Sequence, residues 1–319
     1  MIRLTPKSAT LLVLTALIVL SPIFFPSNFY YRVGSLIFIN GLAVTGMVIL
    51  IGYAGQISLG HAGFAGIGAY SCALMPVHWG IPTILAAVLG AIISAMLAWL
   101  VGRPILRLKG YYLAVATLGL GILVYMVLTN EAWLTGGPDG TQVPDSGLHD
   151  LAKAAGLSLK TSQFWYWLCG LILLAGAWLA LNLYDSPTGR ALRALHGSEV
   201  AARTVGIDIA RYKLLAFVIS AVYASAAGSL VAMQNEFITP DIAGYMHSIE
   251  FVTMAVLGGA NSVLGAILGA GILTLLPQVL TVFAEYEYLL LGLIMMLVMI
   301  FMPNGLLPSI MRLIRGKDE

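Results

Sequence analysis

The sequence predicts an all-α fold, a polytopic transmembrane helical bundle, and three observations carry that prediction. The chain has 319 residues, of which 60% are hydrophobic and only 9% are charged. A water-soluble domain of that length cannot bury so much apolar surface. Apolar runs of ~20 residues without a charge match the ~30 Å hydrocarbon layer of a bilayer. The runs are continuous rather than alternating, which argues against a membrane β-barrel.

The apolar runs divide the chain into about ten predicted spans within a single transmembrane domain that covers the whole sequence. The spans are residues 9–26, 33–52, 60–78, 81–102, 111–129, 163–184, 213–233, 249–260, 261–283 and 288–303. If the N-terminus is cytoplasmic and the spans alternate, both termini are cytoplasmic. All Lys and Arg except Arg32, Lys153 and Lys160 then lie on the cytoplasmic side. This positive-inside bias predicts a multi-pass protein of the bacterial inner membrane.

Two connections between the predicted spans are irregular. The eighth span is too short to cross a bilayer alone and runs directly into the ninth, and the connection at 52–60 is equally brief. We expect broken or re-entrant helices near 52–60 and 258–265. Irregular backbone at membrane depth is tolerated only where protein or a water-filled cavity satisfies its polar groups. The longest predicted external loop, 130–162, contains a predicted surface helix near 148–155.

The string from Gly52 to Tyr70 is rich in glycine, which costs ~1 kcal/mol per residue relative to alanine in a helix. Tight packing alone is one interpretation, because glycine lets helices approach closely in a bilayer. A broken helix that lines a translocation pathway and exposes polar side chains is the other. His61 by itself also fits a satisfied interior histidine. On the second interpretation the pathway residues are Gly52, Gly55, Gln56, Ser58, Gly60, His61, Gly63 and Asn261.

Residues 185–213 form a polar island between two apolar runs. Ser186, with a proline after it, predicts the start of a short helix, and Gly197 predicts its end. Ser198 predicts the start of a second helix, which Gly206 ends. The basic residues of the island are Arg190, Arg193, Arg203, Arg211 and Lys213. A structured basic surface outside the membrane indicates a binding partner.

The second helix of this island offers a surface to another protein. Ala201 and Ala202 give this helix a smooth surface that another protein can approach closely. The charged residues beside it are suited to steering that protein into place and fixing its orientation. The alternative is a basic juxtamembrane loop that lies on anionic lipid. Such a loop requires neither two capped helices nor an alanine pair. The predicted docking residues are Arg190, Arg193, Glu199, Ala201, Ala202 and Gly206.

A glycine-rich turn lies within the predicted external loop. It does not match a phosphate-binding loop, because no Lys-Ser/Thr pair follows it and no predicted strand precedes it. A plain external turn is one interpretation, and a specific docking surface for an external protein is the other. The residues of that surface are Thr135, Gly136, Gly137 and Gly140.

The motifs that the sequence lacks restrict its function. It contains no Walker A loop, no nucleophile elbow and no metal-binding cluster of Cys and His. Cys72 and Cys169 both lie in apolar runs and are interpreted as small buried hydrophobes. No Asp, Glu, Lys or Arg lies in the middle of a predicted span, which argues against proton-coupled transport and intramembrane hydrolysis. We therefore predict a chain that is not an enzyme and that holds no cofactor or metal of its own.

Several strings together resemble the permease subunits of branched-chain amino acid ABC importers, in particular the LivM type. The strings are Gly52–Tyr70, Thr135–Gly140, Ser186–Gly206, Leu257–Ser262 and Met302–Leu306. The resemblance implies a second, similar permease, two cytoplasmic ATPase subunits that bind ATP and Mg, and a periplasmic substrate-binding protein. It implies that the 185–213 loop is the coupling helix seated in an ATPase cleft. No nucleic acid is implied.

The resemblance also implies a substrate class, namely branched-chain or other hydrophobic amino acids, whereas similar permeases move urea or short amides. Two further functions stay open from the residues themselves. A passive channel for a small neutral solute such as urea fits the glycine-rich interior without charges. The other is a noncatalytic scaffold within a membrane complex. Transport by the reconstituted protein would exclude this function.

Overall fold

The computed structural model describes residues 6–154, 156 and 158–279, with isolated positions at 289, 292, 293, 296, 300, 305–307 and 309. In this part of the chain the α-helices are α1 (Pro6–Leu20), α2 (Asn28–Met47), α3 (His61–Trp79), α4 (Thr83–Ile105), α5 (Tyr111–Asn130), α6 (Ala132–Thr135), α7 (Leu148–Ala154), α8 (Thr161–Asp185), α9 (Pro187–Gly197), α10 (Glu199–Thr204), α11 (Ile209–Asn235), α12 (Tyr245–Gly258) and α13 (Val263–Val279). A 3₁₀ turn, Ser21–Phe24, follows α1, and a π-helical turn, Val48–Tyr53, follows α2.

Segments of membrane-spanning length confirm the all-α, polytopic prediction. In the described residues, six are long and apolar enough to cross a bilayer, namely Lys7–Phe24, Asn28–Tyr53, Thr83–Ile105, Tyr111–Asn130, Thr161–Asp185 and Ile209–Asn235. Each predicted span from 9–26 to 249–260, and residues 261–279 of the ninth, overlap a described α-helix. Of these helices, α3, α12 and α13 are not among the six segments of spanning length. The tenth predicted span, 288–303, lies outside the described residues apart from isolated positions.

Helix α11 lies at the centre of the bundle and packs against α2, α3 and α4. Its approach to α3 is close because small residues face each other. A Cβ at Gly228 would collide with the carbonyl oxygen of Ala65, and one at Gly68 would collide with that of Ser225. The Ser229 hydroxyl donates to the Gly68 carbonyl at 3.1 Å. Close packing and interhelical hydrogen bonds of this kind hold helices together in lipid, whose tails are as apolar as leucine.

The helix predicted to break near 258–265 does so as a hairpin. Helices α12 and α13 are joined by residues 259–262, and Gly259 has a φ of 110°, a conformation that favours glycine. A Cβ at Gly258 would collide with the carbonyl oxygen of Gly265, so the two helices touch backbone to backbone. The hairpin packs on α2 through α13.

The second predicted break separates α2 from α3, and it lies inside the bundle. A Cβ at Gly60 would collide with the carbonyl oxygen of Thr117. Thr117 is six residues into α5, which is ~9 Å from the start of that helix at 1.5 Å per residue. Helix α3 therefore begins well inside the bundle rather than at its edge.

Two short strands were not predicted. Strand β1 (Thr141–Gln142) pairs antiparallel with β2 (Phe237–Ile238), with Thr141 opposite Ile238. A two-residue strand has no alternating pattern from which it could be recognised. The pair ties the predicted external loop to the connection between α11 and α12. The surface helix predicted near 148–155 is confirmed as α7.

The opposite end of the bundle, which we call the basic end, gathers the segments 54–55, 106–110, 186–208 and 259–262. Gly55 packs on His196 there, and Lys109 pairs with Glu199 at 3.9 Å. These four segments are the ones that the alternation of predicted spans puts on one side of the membrane.

The close crossing of α3 and α11 gives a stability prediction. Gly228→Ala is expected to destabilise the purified chain by about 1–3 kcal/mol, because the added methyl overpacks the crossing. Gly119→Ala on α5 is the control, since a Cβ there meets nothing within 4 Å among the described atoms. It is expected to be neutral or to stabilise by up to ~1 kcal/mol. Melting temperatures in detergent measure both, and equal values for the two variants would contradict the packing described.

Candidate functional site

The break between α2 and α3 is bonded to the polar island. His196, near the end of α9, places its Nδ1 2.8 Å from the carbonyl oxygen of Gly52. A carbonyl only accepts, so this Nδ1 carries the proton and donates. The imidazole also packs on Gly55, where a Cβ would lie 3.2 Å from the ring. Gly55 has a φ of 66°, so the turn requires glycine both for its backbone and for the space.

The two helix breaks meet at Gly52. A Cβ there would collide with the carbonyl oxygen of Ala260 and would come within 3.3 Å of the Asn261 Cα. The Asn261 side chain lines a groove of about 570 Å³ together with Tyr53 and Tyr184. The predicted pathway residues Gly52 and Asn261 are thus neighbours, although they are far apart in the sequence.

Three predicted pathway side chains are buried polar groups around the start of α3. Gln56, Ser58 and His61 are 3%, 1% and 0% exposed. His61 Nδ1 and the Ser58 hydroxyl lie 2.8 Å apart. Both amide atoms of Gln56 and the Nε2 of His61 have no hydrogen-bond partner among the described residues. A buried polar group that has no partner at all costs about 1–3 kcal/mol.

Gly60 and Gly63 support the packing interpretation of the glycine string. Gly60 lies against Thr117, and a Cβ at Gly63 would lie 3.2 Å from the Gly121 Cα. The Thr117 hydroxyl accepts from the Leu59 amide at 3.1 Å. These glycines let α5 approach the break, whereas Gly52 and Gly55 shape the turn itself. Packing therefore accounts for Gly60 and Gly63, and the pathway role of the string stays a prediction.

The polar island folds as the two capped helices that the sequence predicts. Ser186 accepts from the Gly189 amide at 3.1 Å and begins α9. Ser198 accepts from the Ala201 amide at 3.3 Å and begins α10. Gly206 follows α10 with a φ of 81°, so the predicted ends at Gly197 and Gly206 are confirmed as well.

Arg190 and Arg193 turn back onto the end of α8. Arg193 donates from Nη1 to the Tyr184 carbonyl at 2.6 Å, and its guanidinium lies 3.8 Å above the Tyr184 ring. Arg190 donates to the Asp185 carbonyl at 3.0 Å. Cations at a helix C-terminus satisfy its last carbonyls and its dipole. The arginines therefore fix α9 against α8, and their predicted role toward a partner stays a prediction.

Glu199 holds α10 to the bundle. Its carboxylate accepts from the Nζ of Lys213 at 2.6 Å, and Lys213 has only 7% of its side chain exposed. Lys109 lies 3.9 Å away on the other oxygen. The hydrogen bond from Lys213 lowers the pKa of the Glu199 carboxyl below its usual value, although partial burial opposes this, and the charges of Lys213, Lys109 and Arg203 assist it.

The outward surface of α10 is apolar. Val200 and Val205 are 77% and 73% exposed, and Ala201 is exposed beside them. Ala202 is only 2% exposed, so the structure separates the predicted alanine pair into one outward and one inward residue. Val200 and Ala201 on α10 and Val205, one residue beyond its end, together form an exposed apolar surface, which suits contact with another protein.

The predicted external docking turn is shaped by its glycines. Gly136, Gly137 and Gly140 have φ values of 82°, 67° and 78°, and a Cβ at Gly140 would collide with the Ile238 carbonyl of β2. Thr135 is buried and its hydroxyl donates to the Leu128 carbonyl at 2.7 Å. The plain-turn interpretation accounts for these four residues, and a docking role for them stays a prediction.

These features define a class, a multi-pass α-helical membrane protein in which a helix broken inside the bundle is tied to an exposed helix pair at one end. The chain belongs to the family described as branched-chain amino acid transport system / permease component, which it matches over residues 30–299. It is accordingly a multi-pass protein of the bacterial inner membrane, with helices long and apolar enough to cross it.

Individual relatives agree with this family. The chain is 35% identical over 281 residues to the high-affinity branched-chain amino acid transport system permease protein LivM of Salmonella typhimurium, and 34% identical over 281 residues to LivM of Escherichia coli. Each alignment covers 82% of this chain and 66% of the relative, so the chain spans about two thirds of their length. It is 28% identical over 286 residues to LivH of Escherichia coli, which covers 83% of this chain and 90% of that relative.

Glu199 gives a prediction that depends on pH. Glu199→Gln is expected to destabilise the chain by about 1–2 kcal/mol at neutral pH, because Lys213 stays buried and loses its charged partner. The folded pKa of Glu199 is lowered, so its contribution is complete above the usual Glu value of about 4.3 and is lost as the pH falls through the folded value. Melting temperatures of the variant and the parent are therefore expected to converge in acid.

Asp139→Asn is the control for this experiment, since Asp139 is exposed and forms no ion pair within the described residues. It is expected to leave the melting temperature unchanged at neutral pH. A Glu199→Gln deficit of constant size across the whole pH range would contradict the electrostatic role assigned to Glu199.

Proposed function

We propose that the chain is the permease subunit of an ATP-driven importer for amino acids, most directly branched-chain or other hydrophobic ones. Family membership and the names of the LivM and LivH relatives support this substrate class. The proposal includes about ten spans, with both termini and the basic end in the cytoplasm. The positive-inside distribution of Lys and Arg supports that orientation.

The importer would contain a second homologous permease, two ATPase subunits and a periplasmic substrate-binding protein. LivM and LivH share the name of one transport system, and both resemble this chain, which supports a pair of related permeases. The sequence holds no Walker A loop. ATP and Mg would therefore be bound by the ATPase subunits, and this chain would contribute the pathway and the coupling surface.

The hydrogen bond between His196 and Gly52 is the observation that carries the coupling proposal. An ATPase subunit seated on the apolar surface of α10 would displace α9 and α10 together. His196 would transmit this displacement to the π-helical turn at Gly52, which also contacts Ala260. Both helix breaks would then move as one, and an alternating-access pathway requires concerted movement of this kind.

The pathway would run beside the start of α3. The Gln56 amide and His61 Nε2 lack partners among the described residues, and unpaired groups of this kind can bind a polar solute in another state of the transporter. They are neutral hydrogen-bonding groups, which suit the polar end of an amino acid while the surrounding apolar bundle suits its side chain. The periplasmic protein would dock at the opposite end, on the turn that contains Thr135 and Gly140.

The coupling surface predicts a defect in assembly. Val200→Glu and Ala201→Glu are each expected to lower co-isolation of ATPase subunits at least about tenfold, because a charge would be buried without a partner at the interface. Ala154→Glu is the matched control, since Ala154 is exposed on α7 in the predicted external loop. Quantitative co-purification from membranes measures the effect. Normal ATPase recovery with both α10 variants would rule out this surface.

The link from α9 predicts uncoupling without loss of assembly. His196→Ala removes the donor to Gly52 and leaves the α10 surface intact. ATPase co-isolation is expected to be normal. Amino acid uptake per ATP hydrolysed is expected to fall about tenfold, because the free energy of one hydrogen bond corresponds to a factor of that order. His78→Ala, an exposed histidine at the end of α3, is the control. Unchanged uptake in reconstituted vesicles would contradict transmission through His196.

A passive channel or an ABC permease for urea or short amides is the second candidate. The buried polar groups around Gln56 are uncharged, which suits a small neutral solute as well as an amino acid. Uptake of labelled urea and leucine by cells with and without the ATPase subunits separates these functions, because an ABC permease for urea takes up urea rather than leucine and only in the presence of the ATPase. Persistent urea uptake would support the channel, whereas strict dependence on the ATPase supports the importer.

A further inference from the structure

A basic groove lies at the basic end, between α4, α10 and the start of α11. Its volume is about 600 Å³. The cationic residues that line it are Arg103, Arg107, Lys109, Arg203, Arg211 and Lys213. The single carboxylate in its lining is Glu199. The groove therefore carries a large excess of positive charge.

Most of this charge is not neutralised within the described chain. Glu199 pairs with Lys213 and, at longer distance, with Lys109. Arg103 and Arg107, by contrast, have no carboxylate within ion-pair distance among the described residues. Glu199 is the one anion in the described lining, so the arginines without a carboxylate partner form a site for an anionic group, and guanidinium groups suit phosphate.

The aromatic residues around the groove place it at the level of lipid headgroups. Trp99 lies under the Arg103 guanidinium at 3.8 Å and is 46% exposed. Tyr111 and Tyr112, at the start of α5, are 69% and 60% exposed. Tryptophan and tyrosine concentrate where hydrocarbon meets water. The groove thus opens at the boundary of the bilayer rather than deep within it or far from it.

An apolar surface continues from the groove toward the membrane interior. Met96 and Leu100 on α4 are 65% and 64% exposed, and they precede Arg103 by about two turns and one turn, respectively. A ligand with a phosphate head and acyl chains would contact both surfaces at once. A free phosphate would use only the groove.

The groove is distinct from the surface proposed for the ATPase subunit. Glu199 and Arg203 are four residues apart and share one side of α10, which faces the groove. Val200 and Ala201 follow Glu199 by one and two residues, and a helix turns about 100° per residue, so they point away from it. Occupation of the groove therefore leaves the apolar surface of α10 free.

We propose that this groove binds the headgroup of an anionic phospholipid, with the phosphodiester between Arg103 and Arg107 and the acyl chains along α4. The lipid would neutralise charge that the chain leaves unpaired and would support the end of the bundle from which α9 and α10 project. Lysine and arginine side chains at a membrane surface each add to the affinity for anionic lipid.

Native mass spectrometry of the full-length chain in mild detergent tests the proposal. The chain is incubated with phosphatidylglycerol, with phosphatidylcholine of the same acyl chains, or with inorganic phosphate. Phosphatidylglycerol adducts are expected to exceed phosphatidylcholine adducts by roughly tenfold or more. The double variant Arg103→Gln/Arg107→Gln is expected to abolish the preference. Lys153→Gln/Lys160→Gln removes the same charge from exposed positions of the predicted external loop and is expected to retain it.

Three results would overturn the proposal. Equal binding of the two lipids by the unaltered chain would by itself exclude a site that is specific for an anionic headgroup. Equal loss of the preference in both double variants would show a general charge effect. Displacement of phosphatidylglycerol by inorganic phosphate would make free phosphate the ligand. Arg103→Lys/Arg107→Lys keeps the charge and is expected to retain most of the preference, and melting temperatures verify that the variants fold.

Discussion

The non-helical backbone between α2 and α3 needs hydrogen-bond partners inside an apolar bundle. Several other helices of the structure supply these partners. The bilayer core contains no water that could form hydrogen bonds with these amides and carbonyls. The Leu59 amide donates to Thr117 on α5, and the Ala62 amide donates to Ser248 on α12. The Gly52 carbonyl accepts from His196 on α9. Helices distant in sequence thus converge on one break.

The same constraint makes the break a structural centre of the bundle. A segment held by hydrogen bonds from several helices moves only when those helices move. The Gln56 amide and His61 Nε2, which have no hydrogen-bond partner among the described residues, lie at this break. Packing accounts for Gly60 and Gly63 of the glycine string, whereas Gly52 and Gly55 shape the turn.

Local signals in the sequence predicted much of the fold. Apolar runs located the described spans, and Ser186, Ser198 and Gly206 located the short helices of the island, because caps act within a few residues. Contacts across the bundle could not be predicted in this way. The partners of Gly52, namely His196 and Ala260, lie far away in the chain. Ala202 was expected at the surface, but only the packing of α10 on the bundle shows that it is buried.

The ribbon of β1 and β2 has a mechanical consequence. It joins the predicted external loop to the segment that leads into α12. At the other end of α12, Ala260 in the turn of the α12–α13 hairpin contacts Gly52. A continuous series of contacts therefore connects α9 at one end of the molecule with the outer turn at the other. In the proposed importer, the periplasmic binding protein and the ATPase subunits would contact the two ends of this connected series. Binding at one end could then change the affinity at the other.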